Sequence, residues 1–142
     1  MRILFLTDNF PPETNAPASR THEHARRWVA AGHAVTVVTC APNFPRGRVF
    51  DGYANRLRTV ETVDGIRVVR VKTFIARNSG FVLRTLDYLS FMVAGFLASL
   101  FERRPDVVVA TSPQFFCAVA GWLTSVFKRR PFVFELRDIW PA

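Results

Sequence analysis

The stretch from Gly32 to Thr39, GHAVTVVT, decides the fold class. Five of the six residues in Ala34–Thr39 are β-branched, which is typical of a buried strand. The preceding segment, Arg20–Ala31, has apolar residues at helical spacing and Gly32 where a helix C-terminal glycine belongs. The sequence therefore predicts a helix that returns the chain to a buried strand.

Strands and helices alternate on both sides of this unit. On the N-terminal side we predict a strand over Arg2–Thr7, a proline-bearing loop, and Ser19 as the helix N-cap. The elements predicted after it are a hairpin of Val60–Val63 and Ile66–Val71 around Asp64-Gly65, a helix over Phe81–Arg104, a strand over Val107–Ala110, a helix from Ser112-Pro113 to about Lys128, and a strand over Phe132–Leu136. This order predicts an α/β fold with a Rossmann-like, mostly parallel sheet and a β-hairpin insertion. Ligands of such sheets bind beyond the carboxyl ends of the strands.

The composition limits the class of protein and its partners. The chain has 142 residues, 49% of them hydrophobic, and a formal charge of +8, so it can bury a core and is not disordered. Only Cys40 and Cys117 are present, which excludes a disulfide scaffold. Acid follows the short N-terminal apolar run at once, so we expect a cytoplasmic protein without a signal peptide. The positive charge favours nucleic acid, an anionic membrane or a phosphorylated substrate as partner.

Several site motifs are absent from the sequence. The first glycine is Gly32, so the turn after the first strand is neither a GxGxxG fingerprint nor a P-loop, and no GxSxG elbow occurs. His22 and His24 are two residues apart on a predicted helix and point to different faces, so we interpret them as surface residues. We therefore expect no metal site.

The first loop leads into a helix N-terminus, where free backbone amides favour an anion. Arg20 would add a charge-assisted hydrogen-bond donor there. An ordinary surface loop with a capped helix is the alternative interpretation. Ser112 follows the predicted strand Val107–Ala110 and is a further candidate, although a Ser-Pro helix cap is the better supported interpretation of this residue.

The residues that follow the last strand are more distinctive. Arg137 and Asp138 stand at its carboxyl end, where they could bind a phosphate or a hydroxyl group. A structural ion pair with neighbouring loops is the alternative. Glu135, inside the predicted strand, needs a partner if it is buried.

The segment Leu83–Arg104 is apolar around most of the helix, and from Leu86 to Phe101 its only charge is Asp87. A core helix, a core helix with a membrane-facing edge, and a membrane span are the three interpretations, the last being disfavoured by length and by Asp87. Basic residues at the helix ends suit either an anionic leaflet or the negative helix C-terminus.

Four stretches carry a resemblance to a known family. They are the strand Met1–Thr7 with the loop Pro11-Pro12-Glu13, the turn and strand Gly32–Val37 (GHAVTV), Asp106–Pro113 (DVVVATSP), and Phe132–Pro141 (FVFELRDIWP). Together they resemble the N-terminal half of family-4, GT-B-fold glycosyltransferases, and most of all the WbuB-like subgroup of fucosamine transferases in bacterial surface-polysaccharide assembly.

The resemblance implies an anomer-retaining, metal-independent transferase that uses a nucleotide sugar and no further cofactor. Residues 1–142 would be the acceptor-side Rossmann-like domain of a GT-B enzyme, incomplete at its C-terminus. The nucleotide sugar would be bound mainly by a C-terminal domain that is absent here, so we expect this fragment to be inactive alone. A polyprenyl-diphosphate-linked or other glycan is the expected acceptor.

The resemblance also assigns site residues. The loop that approaches the donor diphosphate in the family matches Thr14-Asn15-Ala16, with Asn15 in place of a glycine. Arg137 stands where many members have histidine, and it cannot act as a base because arginine does not deprotonate. Together with Asp138 it forms the expected catalytic pair.

Asn43 and Ser112 are expected on loops that face the same cleft, and Arg20 is a further expected substrate-binding residue. Peripheral attachment to the inner face of the plasma membrane follows from the basic charge and the apolar helix. A complete Rossmann-like module that binds a phosphorylated metabolite is the rival function. A nucleic-acid-binding protein is disfavoured, because the basic residues are dispersed and no recognition motif occurs.

Overall fold

The computed structural model describes residues 1–7, 10, 16–40, 58–72, 81–102, 105–111 and 115–135. The strands in this part of the chain are β1 (Arg2–Leu6), β2 (Ala34–Cys40), β3 (Arg58–Val63), β4 (Ile66–Val71), β5 (Val107–Thr111) and β6 (Phe132–Glu135), and the helices are α1 (Ala16–Ala30), α2 (Phe81–Phe101) and α3 (Phe115–Lys128). They form one six-stranded sheet in the order β3-β4-β2-β1-β5-β6. Only the β3–β4 pair is antiparallel. The predicted α/β fold with a mostly parallel sheet and a hairpin is confirmed.

The helix boundaries differ from the prediction at two ends. Helix α1 begins at Ala16 rather than Arg20, so Ser19 lies inside the helix and is not its N-cap. Pro17 is tolerated in the first turn because its missing N–H would have no partner within the helix there. Helix α2 ends at Phe101, three residues earlier than predicted. The Ser112-Pro113 cap lies outside the described residues, and α3 is described from Phe115.

One helix covers one face of the sheet, and two helices cover the other face. Helix α1 packs on one face, where Phe5 contacts the Trp28 ring at a centroid distance of 5.2 Å. Helices α2 and α3 pack side by side on the other face, where Phe91 and Cys117 are buried against the sheet. Apolar side chains that alternate along each strand therefore supply two separate cores.

Two tight turns lie at the glycines where the sequence predicts them, Gly65 and Gly32. Asp64 and Gly65 both have positive φ, 51° and 78°, as a two-residue hairpin turn with right-handed strand twist requires. Gly32 has φ 94° directly after α1, and its N–H donates to the Val29 carbonyl at 3.0 Å. Both turn predictions are confirmed: the first turn joins β3 to β4, and the second leads the chain from α1 into β2.

Helix α3 lies unusually close to the sheet at Gly121. A Cβ atom at this position would stand 2.8 Å from both Ala110 Cβ and Phe132 Cε1. The absence of a side chain at Gly121 therefore sets the distance of α3 from β5 and β6. Those two strands lead directly to Ser112 and Arg137.

Candidate functional site

The carboxyl edge of the sheet has a topological switch point at β1. Strand β1 pairs with β2 on one side and with β5 on the other. The connection from β1 runs to β2, and the later connection from β4 crosses back to β5 on the opposite side of β1. Such a reversal opens a crevice at the carboxyl ends of the strands, which is where ligands of open α/β sheets bind. Helix α1 begins at this edge because it follows β1.

Two of the predicted site residues, Ala16 and Arg20, lie in the described part of the chain, in helix α1. Ala16 is the first residue of α1, and Arg20 is exposed one turn further along the helix. The remaining candidates lie outside the described residues and are Asn15, Asn43, Ser112, Arg137 and Asp138. Ser112 and Arg137 follow β5 and β6 by one and two residues, and Asn43 follows β2 by three. Each stays a prediction that the positions of the strand ends support.

A row of buried polar side chains crosses the sheet at its carboxyl edge. Thr39 is paired with Arg70, and Thr111 with Glu135. The register Leu6↔Val38 and Leu6↔Ala110 places the next residue, Thr7, between Thr39 and Thr111. Thr7, Thr39, Arg70 and Thr111 are all buried, on the face that α1 covers. We call these four residues the polar row.

Arg70 fixes the end of β2. Its Nε donates to Glu61 Oε1 at 3.0 Å, and its Nη1 donates to the Cys40 carbonyl at 2.9 Å. The Glu61 carboxylate neutralises the buried guanidinium, which would be costly without a partner. Arg70 thus holds the last carbonyl of β2, from which the chain continues to Asn43.

The Thr39 hydroxyl is the exception within the polar row. Its Oγ1 is buried and has no hydrogen-bond partner among the residues that the structure describes. A buried polar atom without a partner costs about 1–3 kcal/mol. On the opposite face of the sheet, Cys117 Sγ donates to the Leu6 carbonyl at 3.3 Å, so the end of β1 is held from α3.

The polar row is not among the site residues predicted from the sequence, although the sequence carries a signal for it. Strands β1, β2 and β5 are apolar runs in which a threonine comes at or next to the end, at Thr7, Thr39 and Thr111. Recognition of this shared ending would have pointed to one polar edge. Arg70 was not singled out because nothing in its local sequence separates it from Arg67.

Two cavities of about 560 and 580 Å³ lie at the amino edge of the sheet. The first of them is lined by Arg58, Arg67 and Glu102 among others. Glu102 accepts from Arg58 Nη2 at 2.8 Å and from Arg67 Nε at 3.0 Å, so both guanidinium groups are already paired. We place the candidate site at the carboxyl edge instead, because the switch point lies there and the strands that end there precede Asn43, Ser112 and Arg137 in the sequence.

The charges around Glu102 make a structural cluster. Burial alone would raise the pKa of Glu102, but the hydrogen bonds and charges of Arg67 and Arg58 together hold it below its ordinary value. Lys128 Nζ also donates to the Glu102 carbonyl at 2.9 Å. These contacts join β3, β4 and α3 to the end of α2.

The two histidines of α1 make different contacts. His22 Nε2 lies 2.7 Å from Asp64 Oδ2, which joins α1 to the hairpin turn. His24 packs against the Trp28 ring at 6.1 Å. Within the described ranges no group of three or more His, Cys, Asp and Glu residues could hold a metal ion.

Helices α2 and α3 expose several large apolar side chains on the side away from the sheet. They belong to Val82, Leu86, Val93, Leu97 and Phe101 of α2 and Trp122, Val126 and Phe127 of α3. The Phe96 and Phe127 rings meet edge to face at 5.3 Å and join the two helices. In the part of the chain that the structure describes, no helix is long and apolar enough to cross a bilayer.

Comparison with known proteins agrees with this architecture. The glycosyl transferase 4-like domain family matches residues 15–142. A colanic acid biosynthesis protein of Escherichia coli (strain K12), named as the glycosyl transferase WcaI, is 29% identical over 120 residues. The alignment covers 83% of this chain and 29% of that protein.

Proposed function

Because the chain belongs to the glycosyl transferase 4-like family, we propose that it is the acceptor-side domain of a GT-B glycosyltransferase of surface-polysaccharide assembly. The observation that carries the proposal is the carboxyl edge. There the switch point at β1, the start of α1 and the strand ends before Asn43, Ser112 and Arg137 come together. The colanic acid name of the relative supports polysaccharide assembly as the process.

In this proposal a nucleotide sugar is the donor and a polyprenyl-diphosphate-linked or other glycan is the acceptor. A second domain would hold most of the nucleotide, and residues 1–142 would receive the acceptor. The WbuB-like resemblance supports an aminodeoxyhexosyl donor sugar. The enzyme would act at the inner face of the plasma membrane, where a lipid-linked acceptor is anchored.

The residues at the edge would divide the binding of substrate between them. The N-terminus of α1 presents free amides, and Arg20 adds a charge-assisted donor for phosphate oxygens. Arg137 would bind a phosphate or a sugar hydroxyl, and Asp138 would accept a hydrogen bond from a sugar hydroxyl. Arg70 would position the loop that carries Asn43 by holding the Cys40 carbonyl.

Substitutions at the end of β6 test the assignment. In the full-length protein, Asp138→Asn and Arg137→Ala should lower turnover without changing the thermal unfolding midpoint. The control is Glu23→Gln, an exposed acid of α1 whose partner is Arg26. Unchanged transfer rates in both variants would remove Arg137 and Asp138 from the site. In the same assay, retention of the anomeric configuration by NMR and full activity in EDTA are expected.

A further inference from the structure

We propose that the amino edge of the sheet carries a second ligand site, at which Arg2 and Arg130 bind the phosphate group of a small metabolite. The inference goes beyond the proposed function and does not rest on it, because this edge lies at the opposite end of the strands from the carboxyl edge. Strand β1 has five residues. At about 3.3 Å per residue, the two edges are roughly 17 Å apart, so one phosphate group cannot occupy both.

The cavity of about 580 Å³ at this edge lies where three strands begin. Arg2 is the first residue of β1, Asp106 immediately precedes β5, and Arg130 lies two residues before β6. Backbone hydrogen bonds join these segments. The Asp106 N–H donates to the Arg2 carbonyl at 2.7 Å, and the Val108 N–H donates to the Pro131 carbonyl at 2.9 Å. The strand ends therefore form a fixed frame around the cavity.

The end of α3 holds Arg130 at the cavity. The Arg130 N–H donates to the Ser125 carbonyl at 2.9 Å, and Arg129 has φ 53°, which turns the chain from α3 toward β6. The Arg130 side chain is half-buried, and its Nε has no hydrogen-bond partner among the described residues. A buried donor without a partner is unfavourable. An oxyanion in the cavity supplies the acceptor when the guanidinium turns toward it.

The charges that line the cavity favour an anion. Arg2 is exposed, and neither its guanidinium nor that of Arg130 forms an ion pair with a described residue. The Asp106 carboxylate accepts from the Arg2 backbone N–H at 2.6 Å, and this bond is the main reason that the pKa of Asp106 lies below its ordinary value. The charges of Arg130 and Arg2 lower that pKa further. Asp106 thus lies near two guanidinium groups and balances only one of their charges.

The adjoining cavity of about 560 Å³ gives the ligand room for more than a phosphate group. Arg2 lines both cavities. Arg58 and Arg67 of the adjoining cavity are already paired with Glu102, so the phosphate belongs at the Arg2 end. Phe101 is 81% exposed on the wall of this cavity, where its ring can pack against an apolar or aromatic group. A phosphate ester with its organic part against Phe101 fits both cavities.

Titration of the full-length protein with inorganic phosphate, followed by phosphorus NMR, tests the site. Wild type should bind phosphate with a dissociation constant of the order of 1 mM, as two charge-assisted contacts allow. Arg130→Gln should weaken binding at least about tenfold, because it removes one of the two charged donors. Arg2→Gln should weaken it about fivefold, since Arg2 is the more exposed of the two.

Arg129→Gln is the matched control. Arg129 is exposed next to Arg130 and lines neither cavity, and the substitution removes the same charge. In about 0.15 M sodium chloride it should change phosphate affinity by less than about twofold. Equal weakening by Arg129→Gln and Arg130→Gln, or no binding by wild type up to about 20 mM phosphate, overturns the proposal. The unfolding midpoint without phosphate shows whether Arg130→Gln is folded; if it is not, Arg2→Gln tests the site by itself.

Two further probes define the ligand. Acetate should bind at least about tenfold more weakly than phosphate, because it has less charge and fewer acceptor oxygens. Equal binding of acetate overturns the assignment to phosphate. Phenyl phosphate should bind about fivefold more tightly than inorganic phosphate, and Phe101→Ala should remove only this gain. Equal binding of the two phosphates by wild type overturns the extension of the ligand into the adjoining cavity.

Arg137→Ala separates this site from the proposed transfer site. The phosphate binding that Arg130→Gln removes should persist in Arg137→Ala, and Arg130→Gln should keep the wild-type transfer rate in buffer without phosphate. If wild type binds phosphate as expected and transfers no sugar, the second site stands and the transferase function fails. If Arg137→Ala removes the binding and Arg130→Gln does not, the phosphate lies at the carboxyl edge and the second site is overturned.

Discussion

The distance between α3 and the sheet offers a test that links the core to the site. Gly121→Ala places a methyl group 2.8 Å from Ala110 Cβ and from Phe132 Cε1. Carbon atoms prefer separations of about 3.5–4.0 Å, so the overlap is about 1 Å. The Phe132 ring can rotate, but the Ala110 Cβ is fixed by the backbone of β5. Helix α3 must therefore move outward.

The magnitude follows from two opposing effects. Overpacking of this kind costs about 1–3 kcal/mol. Replacing a helical glycine by alanine recovers about 1 kcal/mol of helix propensity. We expect Gly121→Ala to lower the free energy of unfolding by up to about 2 kcal/mol.

Gly95→Ala supplies the matched control. A Cβ at Gly95 of α2 would meet Phe91 at 3.5 Å and Leu6 at 3.9 Å, which are ordinary contacts. This variant gains the same propensity without the overlap. At roughly 4 °C per kcal/mol, the two unfolding midpoints should differ by about 4–12 °C in a thermal melt followed by circular dichroism. Transfer activity should fall in Gly121→Ala alone, because β5 and β6 lead to Ser112 and Arg137. If Gly121→Ala melts at or above Gly95→Ala, the close approach of α3 is wrong.

Two further predictions concern buried polar groups. Glu102→Gln should lower the free energy of unfolding at pH 7 by about 1 kcal/mol in urea titrations, a small value because Arg58 and Arg67 are half exposed. The pKa of Glu102 is depressed from its ordinary 4.5, so its stabilisation is present above that pH and is lost as the pH falls further; wild type and variant should converge in acid, and a constant difference would contradict the ion pairs. Thr39→Val should raise the free energy of unfolding by about 1 kcal/mol, because it replaces an unpartnered buried hydroxyl by a methyl group of the same shape, whereas Thr39→Ser should not. Destabilisation by Thr39→Val would show that the hydroxyl has a partner.

Local chemistry explains which elements could be predicted from the sequence. Asp64-Gly65 and Gly32 were predictable because positive φ at these places favours few residue types. The start of α1 was not, since prolines in the preceding segment suggested a loop and Pro17 is compatible with a first helical turn. The local sequence alone therefore does not determine where α1 begins.

The polar row illustrates a different limit. Thr39 and Arg70 are 31 residues apart in the sequence. They are neighbours only because β2 pairs with β4 in one particular register. Pairing partners depend on how the whole sheet assembles, and a shift of β4 by one residue would move Arg70 to the other face of the sheet, away from Thr39. The sequence predicts that the site lies at the carboxyl edge of the sheet, but it does not predict which side chains are neighbours at that edge.

The ion pairs of the described residues change how the net positive charge of the chain is interpreted. Net charge alone did not distinguish a phosphate site from a membrane surface. In the described part, Arg70 is neutralised by Glu61, and Arg58 and Arg67 share Glu102, so these guanidinium groups stabilise the hairpin rather than attract a ligand. Arg20 at the start of α1 and Arg129 after α3 are exposed at opposite edges of the sheet. Because screening limits each to about 8–10 Å, the two act independently, and Arg20→Gln should weaken substrate binding more than Arg129→Gln does.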